Sequence, residues 1–267
     1  MEPIRGDQLD DVAETTLWTL RNRAVEAMRP DSPYDDPLAV ELYRAIDTDY
    51  DRFGKPSQTH PLRAQLMDRE ISRYLAVHPN ATVVALAEGL QTSYWRLGRP
   101  ANRWISVDLP EVIALRERLL PPEDTVEHRP GSALNSDWAA GIDAGDGVVV
   151  TAEGLLMYFT PTEARELIAF LAQRFPGGVL IFDSIPHWFS RKTLSGLNLT
   201  PRYQAPPMPF ALSVSEAAEL IEVPGVTAVT DLDLPPGRGV WASSLLKKFS
   251  SLPKIRDVRP SVTRLTF

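Results

Sequence analysis

Three acidic residues stand at the ends of apolar runs in this sequence, spaced as a binding site for a nucleoside would need them. Glu88-Gly89 closes the run TVVALA at 82–87, Asp108 follows RWISV at 103–107, and Glu153-Gly154 follows GVVVT at 147–151. Asp108 lies 19 residues beyond Gly89. An acidic side chain about 20 residues past a glycine turn is how nucleoside-binding βαβ units accept two ribose hydroxyls. Gly89 tolerates positive φ and lets the backbone come close to a ligand. The segment ALAEGLQT is no dinucleotide fingerprint, because it carries one glycine where G-x-G-x-x-G needs three. Glu88 would also repel a pyrophosphate seated on a helix N-terminus. It is compatible with a ligand that lacks phosphates and bears a cation, and S-adenosylmethionine combines ribose, adenine, sulfonium and an amino-acid tail. Read locally, Glu88 is equally an exposed turn residue and Asp108 a helix cap before Pro110.

These residues need elements to hold them at one edge. Leu17, Leu20, Ala24 and Met28 recur at helical spacing from Leu9 until Arg29-Pro30, a second short helix opens at Pro37 and ends near Ile46, and a third runs from Gln58 to Val77. After residue 80 the pattern changes to short β-branched runs that alternate with helices. Strands are expected at Thr82–Ala87, Arg103–Val107, Thr125–Arg129, Gly147–Thr151, Val179–Phe182, Val226–Thr230 and Ser261–Phe267. Helices are expected after Thr92, over Glu111–Leu120, from the Thr160 cap to about Phe175, and over Ser213–Glu222. Continuous apolar strands alternating with helices indicate an α/β chain with a mostly parallel sheet covered on both faces. Ligands then bind at the carboxyl ends of the strands. The stretch 184–210, rich in Pro and aromatic residues and without clear period, is expected to be a lid insertion. The chain thus divides into a helical cap over 1–80 and a core over 81–267.

Composition narrows the chemistry. The chain has 267 residues, no cysteine, 4 His and a net charge of −7. Without cysteine there is no thiolate nucleophile, disulfide framework or Cys-ligated zinc. The His residues are scattered and form no H-E-x-x-H, so no metal site is expected. No G-x-S-x-G elbow supports a serine hydrolase. The acidic balance argues against a nucleic-acid partner. The absence of a basic, apolar leader or a long apolar run makes a cytoplasmic protein with no membrane span the default. His187, in His187-Trp188-Phe189, has the intrinsic pKa of a general base for a phenol, and is equally a lid histidine packed on tryptophan. A carboxylate acceptor would need no base. Tyr158, Trp188, Phe189, Tyr203, Met208 and Phe210 are candidates for the wall of a planar apolar acceptor site, with core packing as the alternative.

Four blocks carry a resemblance to a known family: VVALAEGLQTSYWRL at 83–97, VDLPEVIALRERLLP at 107–121, GSALNSDW at 131–138 and TAEGLLMYFTP at 151–161. In this order they resemble the leucine carboxyl methyltransferase family, in particular its bacterial branch of polyketide O-methyltransferases. The resemblance extends from about residue 15 to about residue 245. It implies a Rossmann-like, seven-stranded sheet of the class I methyltransferase type, S-adenosylmethionine as cofactor, and methyl transfer to a carboxylate or hydroxyl oxygen of a small acceptor. It also implies a cofactor site. Arg63 would pair with the cofactor carboxylate, and Ala87, Glu88 and Gly89 would line its methionine and ribose portion. Asp108 would accept the ribose hydroxyls, Ser132 and Ala133 would flank the adenine, and Glu153 would face the ammonium or the transfer region. Ala87 stands where the family's first turn has glycine, Gln91 where it has aspartate, and Ala133 where many relatives have aspartate. A nucleoside-binding member without catalysis and a protein C-terminal carboxyl methyltransferase are the other functions this pattern leaves open, and it does not choose between monomer and homodimer.

Overall fold

The computed structural model describes residues 4–5, 11–242 and 253–267 of the chain. Its helices are α1 (Asp11–Ala27), α2 (Pro37–Ala45), α3 (Thr59–Val77), α4 (Ser93–Arg96), α5 (Pro110–Leu119), α6 (Pro161–Arg174), α7 (His187–Leu194) and α8 (Val214–Ala218), with a further turn at Pro253–Arg256. The expected start of the first helix at Leu9 lies outside the described residues. The central sheet is built from β1 (Thr82–Leu86), β2 (Trp104–Asp108), β3 (Val126–Pro130), β4 (Val148–Ala152), β5 (Val179–Ser184), β6 (Ala228–Leu232) and β7 (Ser261–Thr266). Its order is β3-β2-β1-β4-β5-β7-β6. Within this sheet β7 runs opposite to the other six strands. This is the Rossmann-like, seven-stranded, mostly parallel α/β sheet expected from the sequence. Among the described residues no helix is long and apolar enough to cross a membrane.

The strands read as continuous apolar runs because both faces are covered. On one face Val84, Ile105, Val150 and Leu180 pack with Leu167, Ile168 and Leu171 of α6. On the other, Val83, Trp104, Val149 and Ile181 meet Leu66, Met67 and Ile71 of α3. Alternate residues of each strand therefore enter opposite cores, as the two-residue period of a pleated strand dictates. α6 begins in a capping box between Thr160 and Glu163, with Pro161 in its first turn. α1 and α2 form a separate cluster through Leu17, Leu20, Ala24, Ala39 and Leu42. It also takes in Leu90 from the turn after β1 and Val112 from α5. α1 is thereby pressed onto the carboxyl end of β1.

The order of strands reverses between β1 and β4, and the crevice outside their carboxyl ends is where such sheets take ligands. Because β7 is antiparallel, its first residues, Ser261 and Val262, reach that same rim. The stretch expected to be an irregular lid contains α7 and a short antiparallel pair, Asn198–Thr200 with Tyr203–Gln204. Pro186 opens this helix and Gly196, with φ +81°, follows it. Its eight residues make barely two turns, too few for a 3.6-residue period to stand out.

Candidate active site

The turn after β1 is shaped by side chains from three elements, α1, β2 and α5. Ala87 and Gly89 hold φ values of +50° and +55°. Gly89 N donates to Asp108 Oδ2 at 2.6 Å, and Leu109 N donates to Asp108 Oδ1 at 2.8 Å. Leu90 N donates to Thr16 Oγ1 of α1 at 2.7 Å. A Cβ on Gly89 would collide with that same Thr16 oxygen, so close approach and positive φ both require glycine here. The carbonyls of the turn face two arginines. Arg116 Nη1 donates to Gly89 O at 2.6 Å and Gln91 O at 3.2 Å, and Arg23 Nη2 donates to Leu90 O at 2.6 Å.

Glu88 is therefore not an exposed turn residue. Its carboxylate lies 2.7 Å from Arg116 Nη2 and accepts from Trp104 Nε1 at 3.1 Å, so its charge is matched inside the protein. Asp108 does not cap α5; it ties β2 to the turn, as its bond to Gly89 shows. Burial pushes the Asp108 carboxyl up to about 6, against the two backbone N–H bonds and Arg116, with Glu88 adding to the rise.

A second group of charges spans α3, β4 and β5. Arg63 Nε donates to Glu153 Oε1 at 3.0 Å, and Arg63 Nη1 donates to Asp183 Oδ2 at 2.6 Å. Asp183 Oδ1 accepts from Gly154 N at 2.6 Å, and Gln91 Nε2 donates to Glu153 Oε1 at 2.8 Å. One guanidinium faces two carboxylates here, leaving a net negative charge where a cation would be held. Burial raises the Glu153 carboxyl, with Arg63 opposing and Asp183 reinforcing the rise. For Arg63, burial favours the neutral form, but Asp183 and Glu153 outweigh it and keep the guanidinium charged.

Both groups open into one cavity of about 1060 Å³. Arg63, Ala87, Glu88, Gly89, Asp108, Ser132, Ala133 and Glu153 all line it. So do Tyr158, Trp188, Phe189 and Met208 at its apolar end. Three residues expected at the site do not. Tyr203 is buried in the α1–α2 cluster, with its ring 4.7 Å from that of Phe53. Phe210 packs in the sheet core beside Leu212. His187 lies at the surface with Nε2 2.7 Å from Glu216 Oε2, and it does not line the cavity. It is the first residue of α7, whereas its neighbours Trp188 and Phe189 reach the cavity.

Several residues of the site escape a reading of the sequence. Asp183 follows the expected strand Val179–Phe182, which places it at the ligand edge, but its pairing with Arg63 across 120 residues leaves no local trace. Arg116 had a signal, since it falls on the apolar face of α5 with Val112 and Ile113. Arg23 and His60 had none. Gln91, in place of the family's aspartate, has a partner in Glu153.

The family profile described as leucine carboxyl methyltransferase matches residues 16–172. The tetracenomycin polyketide synthesis O-methyltransferase TcmP of Streptomyces glaucescens is 35% identical over 188 residues, covering 69% of this chain and 70% of that protein. A protein of Mycobacterium marinum named for S-adenosylmethionine-dependent methyl transfer is 30% identical over 207 residues, covering 67% and 68% of the two chains. Among solved structures, the methyltransferase domain of bacterial CtHen1 superposes with a TM-score of 0.49 at 13% identity, covering 76% of this chain and 98% of that one. The chain belongs to the leucine carboxyl methyltransferase family.

Proposed function

We propose that the protein is an S-adenosylmethionine-dependent O-methyltransferase whose acceptor is a small, largely apolar and aromatic molecule carrying a carboxylate or hydroxyl oxygen. One observation carries this reading. A single cavity joins the nucleoside end at Gly89, Asp108 and Ser132 to an apolar end at Trp18, Tyr158 and Phe189, with Arg63, Glu153 and Asp183 also on its wall. Its volume of about 1060 Å³ is at the upper limit of single-ligand pockets, which suits two ligands side by side. The TcmP relative, named for polyketide O-methylation, supports the choice of acceptor class.

The residues present fit the cofactor. Asp108 has lone pairs beyond the two used by backbone N–H groups and would accept the ribose hydroxyls. The excess carboxylate of the Arg63–Glu153–Asp183 group would hold the ammonium. Arg63 Nη2, which carries neither of those two bonds, would take the carboxylate. Ser132 and Ala133 would border the adenine. When bound, the cofactor supplies a methyl group on a positively charged sulfur, which an oxygen nucleophile displaces to leave a neutral thioether. The protein's part is to align and dry the reacting atoms, which is work of positioning. The test is calorimetric titration with S-adenosylmethionine and S-adenosylhomocysteine, followed by methyl transfer to 2-naphthoate and 2-naphthol. Binding of both ligands is expected, and no heat from either at millimolar concentration would sink the assignment. Binding without transfer to any acceptor would favour a non-catalytic member. A base-labile product would identify an ester and a stable one an ether.

A further inference from the structure

The cavity contains one polar ring that none of these roles uses. His60 lies in the first turn of α3, three residues before Arg63 and on the same side of the helix, and it lines the cavity. Its Nδ1 is 2.7 Å from Asn22 Nδ2 of α1. The direction of this bond is set from the other side of the amide. Ser57 N donates to Asn22 Oδ1 at 3.0 Å, so the oxygen is committed as an acceptor and the NH₂ faces the imidazole. Asn22 thus donates to Nδ1, and the single proton of a neutral ring resides on Nε2. Nε2 has no hydrogen-bond partner among the described residues. Trp18 packs edge-on to the ring at 5.2 Å and restricts its rotation.

We propose that His60 is a fixed, neutral hydrogen-bond donor that presents Nε2–H to the acceptor oxygen of methyl transfer, with Asn22 as the positioning residue that sets its tautomer. This rests on the function proposed above. The imidazole is not the base. Protonation would set an Nδ1–H against the amide N–H of Asn22 and add a cation three residues from Arg63. Burial, with the charges of Arg63 and Arg23, pushes the ring down to about 3, so it stays neutral throughout the physiological range. Of the carboxylates on the wall, Glu153 and Asp183 hold Arg63 and Glu88 holds Arg116. In this role the acceptor oxygen is an anion, as a carboxylate is at neutral pH. Where the acceptor has two oxygens, a donor on one leaves the other to face the methyl group.

The test has two arms. In protein labelled with ¹⁵N-histidine, long-range ¹H–¹⁵N spectra between pH 5 and 8 report tautomer and titration, and the His60→Gln spectrum assigns the signal. The expected result is an Nε2–H ring that does not titrate. A Nδ1–H ring, or a midpoint near that of free histidine, would overturn the proposal whether or not the cofactor binds. The second arm uses whichever of 2-naphthoate and 2-naphthol the wild-type protein methylates. His60→Ala is expected to lower kcat/KM about ten- to a hundred-fold, the loss of a hydrogen bond to a charged group, with S-adenosylhomocysteine affinity within twofold of wild type. His60→Gln, which keeps an N–H donor, is expected to recover part of that loss. Asn22→Leu leaves burial and the two arginines in place and is expected to release the tautomer, so that an Nδ1–H signal appears and kcat/KM falls part of the way toward that of His60→Ala. Unchanged kcat/KM in His60→Ala, or a parallel loss of S-adenosylhomocysteine binding, would refute the role. Failure of the wild-type protein to bind S-adenosylhomocysteine would instead refute the proposed function, and the first arm distinguishes the two.

Discussion

Ala87 holds a left-handed backbone conformation, φ +50°, that costs a residue with a Cβ about 1–2 kcal/mol. The rest of the turn enforces it through Gly89, Asp108 and the two arginines. Ala87→Gly removes that strain at some cost in unfolded-state entropy, and is expected to raise stability by roughly 0.5–1 kcal/mol, read as a higher urea midpoint at unchanged m. Asp108 carries the second expectation at this scale. Its carboxyl is pushed up to about 6 by burial, and the proposed contacts to ribose hydroxyls need the ionised form. S-adenosylhomocysteine affinity should be flat above pH 7 and fall as pH drops through 6. Asp108→Ala should weaken it about tenfold or more at pH 8. Titration calorimetry from pH 5 to 8 checks both, and a pH-independent affinity would contradict the role. Asp108 and Glu153 were legible in the sequence because strand ends place them by position alone. His60 and Gln91 were not, since each takes its meaning from a partner on another element, Asn22 or Glu153.

The turn from 87 to 92 is the element on which the site depends, and its rigidity comes from buried arginines. Arg23 and Arg116 are fully buried, and both donate to its carbonyls. Removing Arg116 would leave Glu88 buried without its counter-charge, so Arg116→Met is expected to cost about 3–5 kcal/mol in urea unfolding. Glu88→Leu combined with Arg116→Met should recover much of that stability, because an apolar pair replaces an ion pair. Cofactor affinity should remain low in the double variant, since the Gly89 and Gln91 carbonyls have lost their donor. If the double variant were as unstable as the single one, the pairing with Glu88 would not be what stabilises Arg116. The helices and strands that frame this turn could be read from period and capping, as with Thr160-Pro161-Thr162-Glu163 ahead of α6. α7 could not. Its length hides its period, and that is why His187 is grouped with residues it does not accompany.

At the scale of the whole molecule, two buried carboxylates make stability depend on pH in opposite directions. Burial pushes Asp36 up, but Arg23 and Arg96, with bonds from Thr92 and Tyr34, outweigh it and hold it at about 2. Its folded value lies below its ordinary 3.8, so it contributes roughly 2 kcal/mol above pH 4 that is lost as pH falls through 2. Asp108 is raised, so its contribution is present below pH 4 and lost as pH rises through 6, opposing folding at neutral pH by roughly 3 kcal/mol. Urea unfolding should show stability rising between pH 7 and 5 and declining below 4. Asp108→Asn should remove the part of the rise centred near pH 6, and an unchanged rise in that variant would assign it to another group, such as Glu153, which burial also raises. The same acidification that strengthens the empty protein would weaken its hold on the cofactor. The central strands β1, β2, β4 and β5 were legible because they are short apolar runs between breakers, whereas β3, Val126-Glu127-His128-Arg129-Pro130, is not one. Their order was not legible in the residues, since neighbours such as β1 and β4 are far apart in the chain. The antiparallel β7 has a consequence for how the molecule is made. It lies between β5 and β6, so during synthesis those two strands wait, unpaired with each other, for a segment that emerges after both. Residues 259–262 also border the cavity. A nascent chain therefore completes its sheet and its ligand site with the same segment, and premature termination before residue 259 would leave open edges on β5 and β6 and an unwalled pocket.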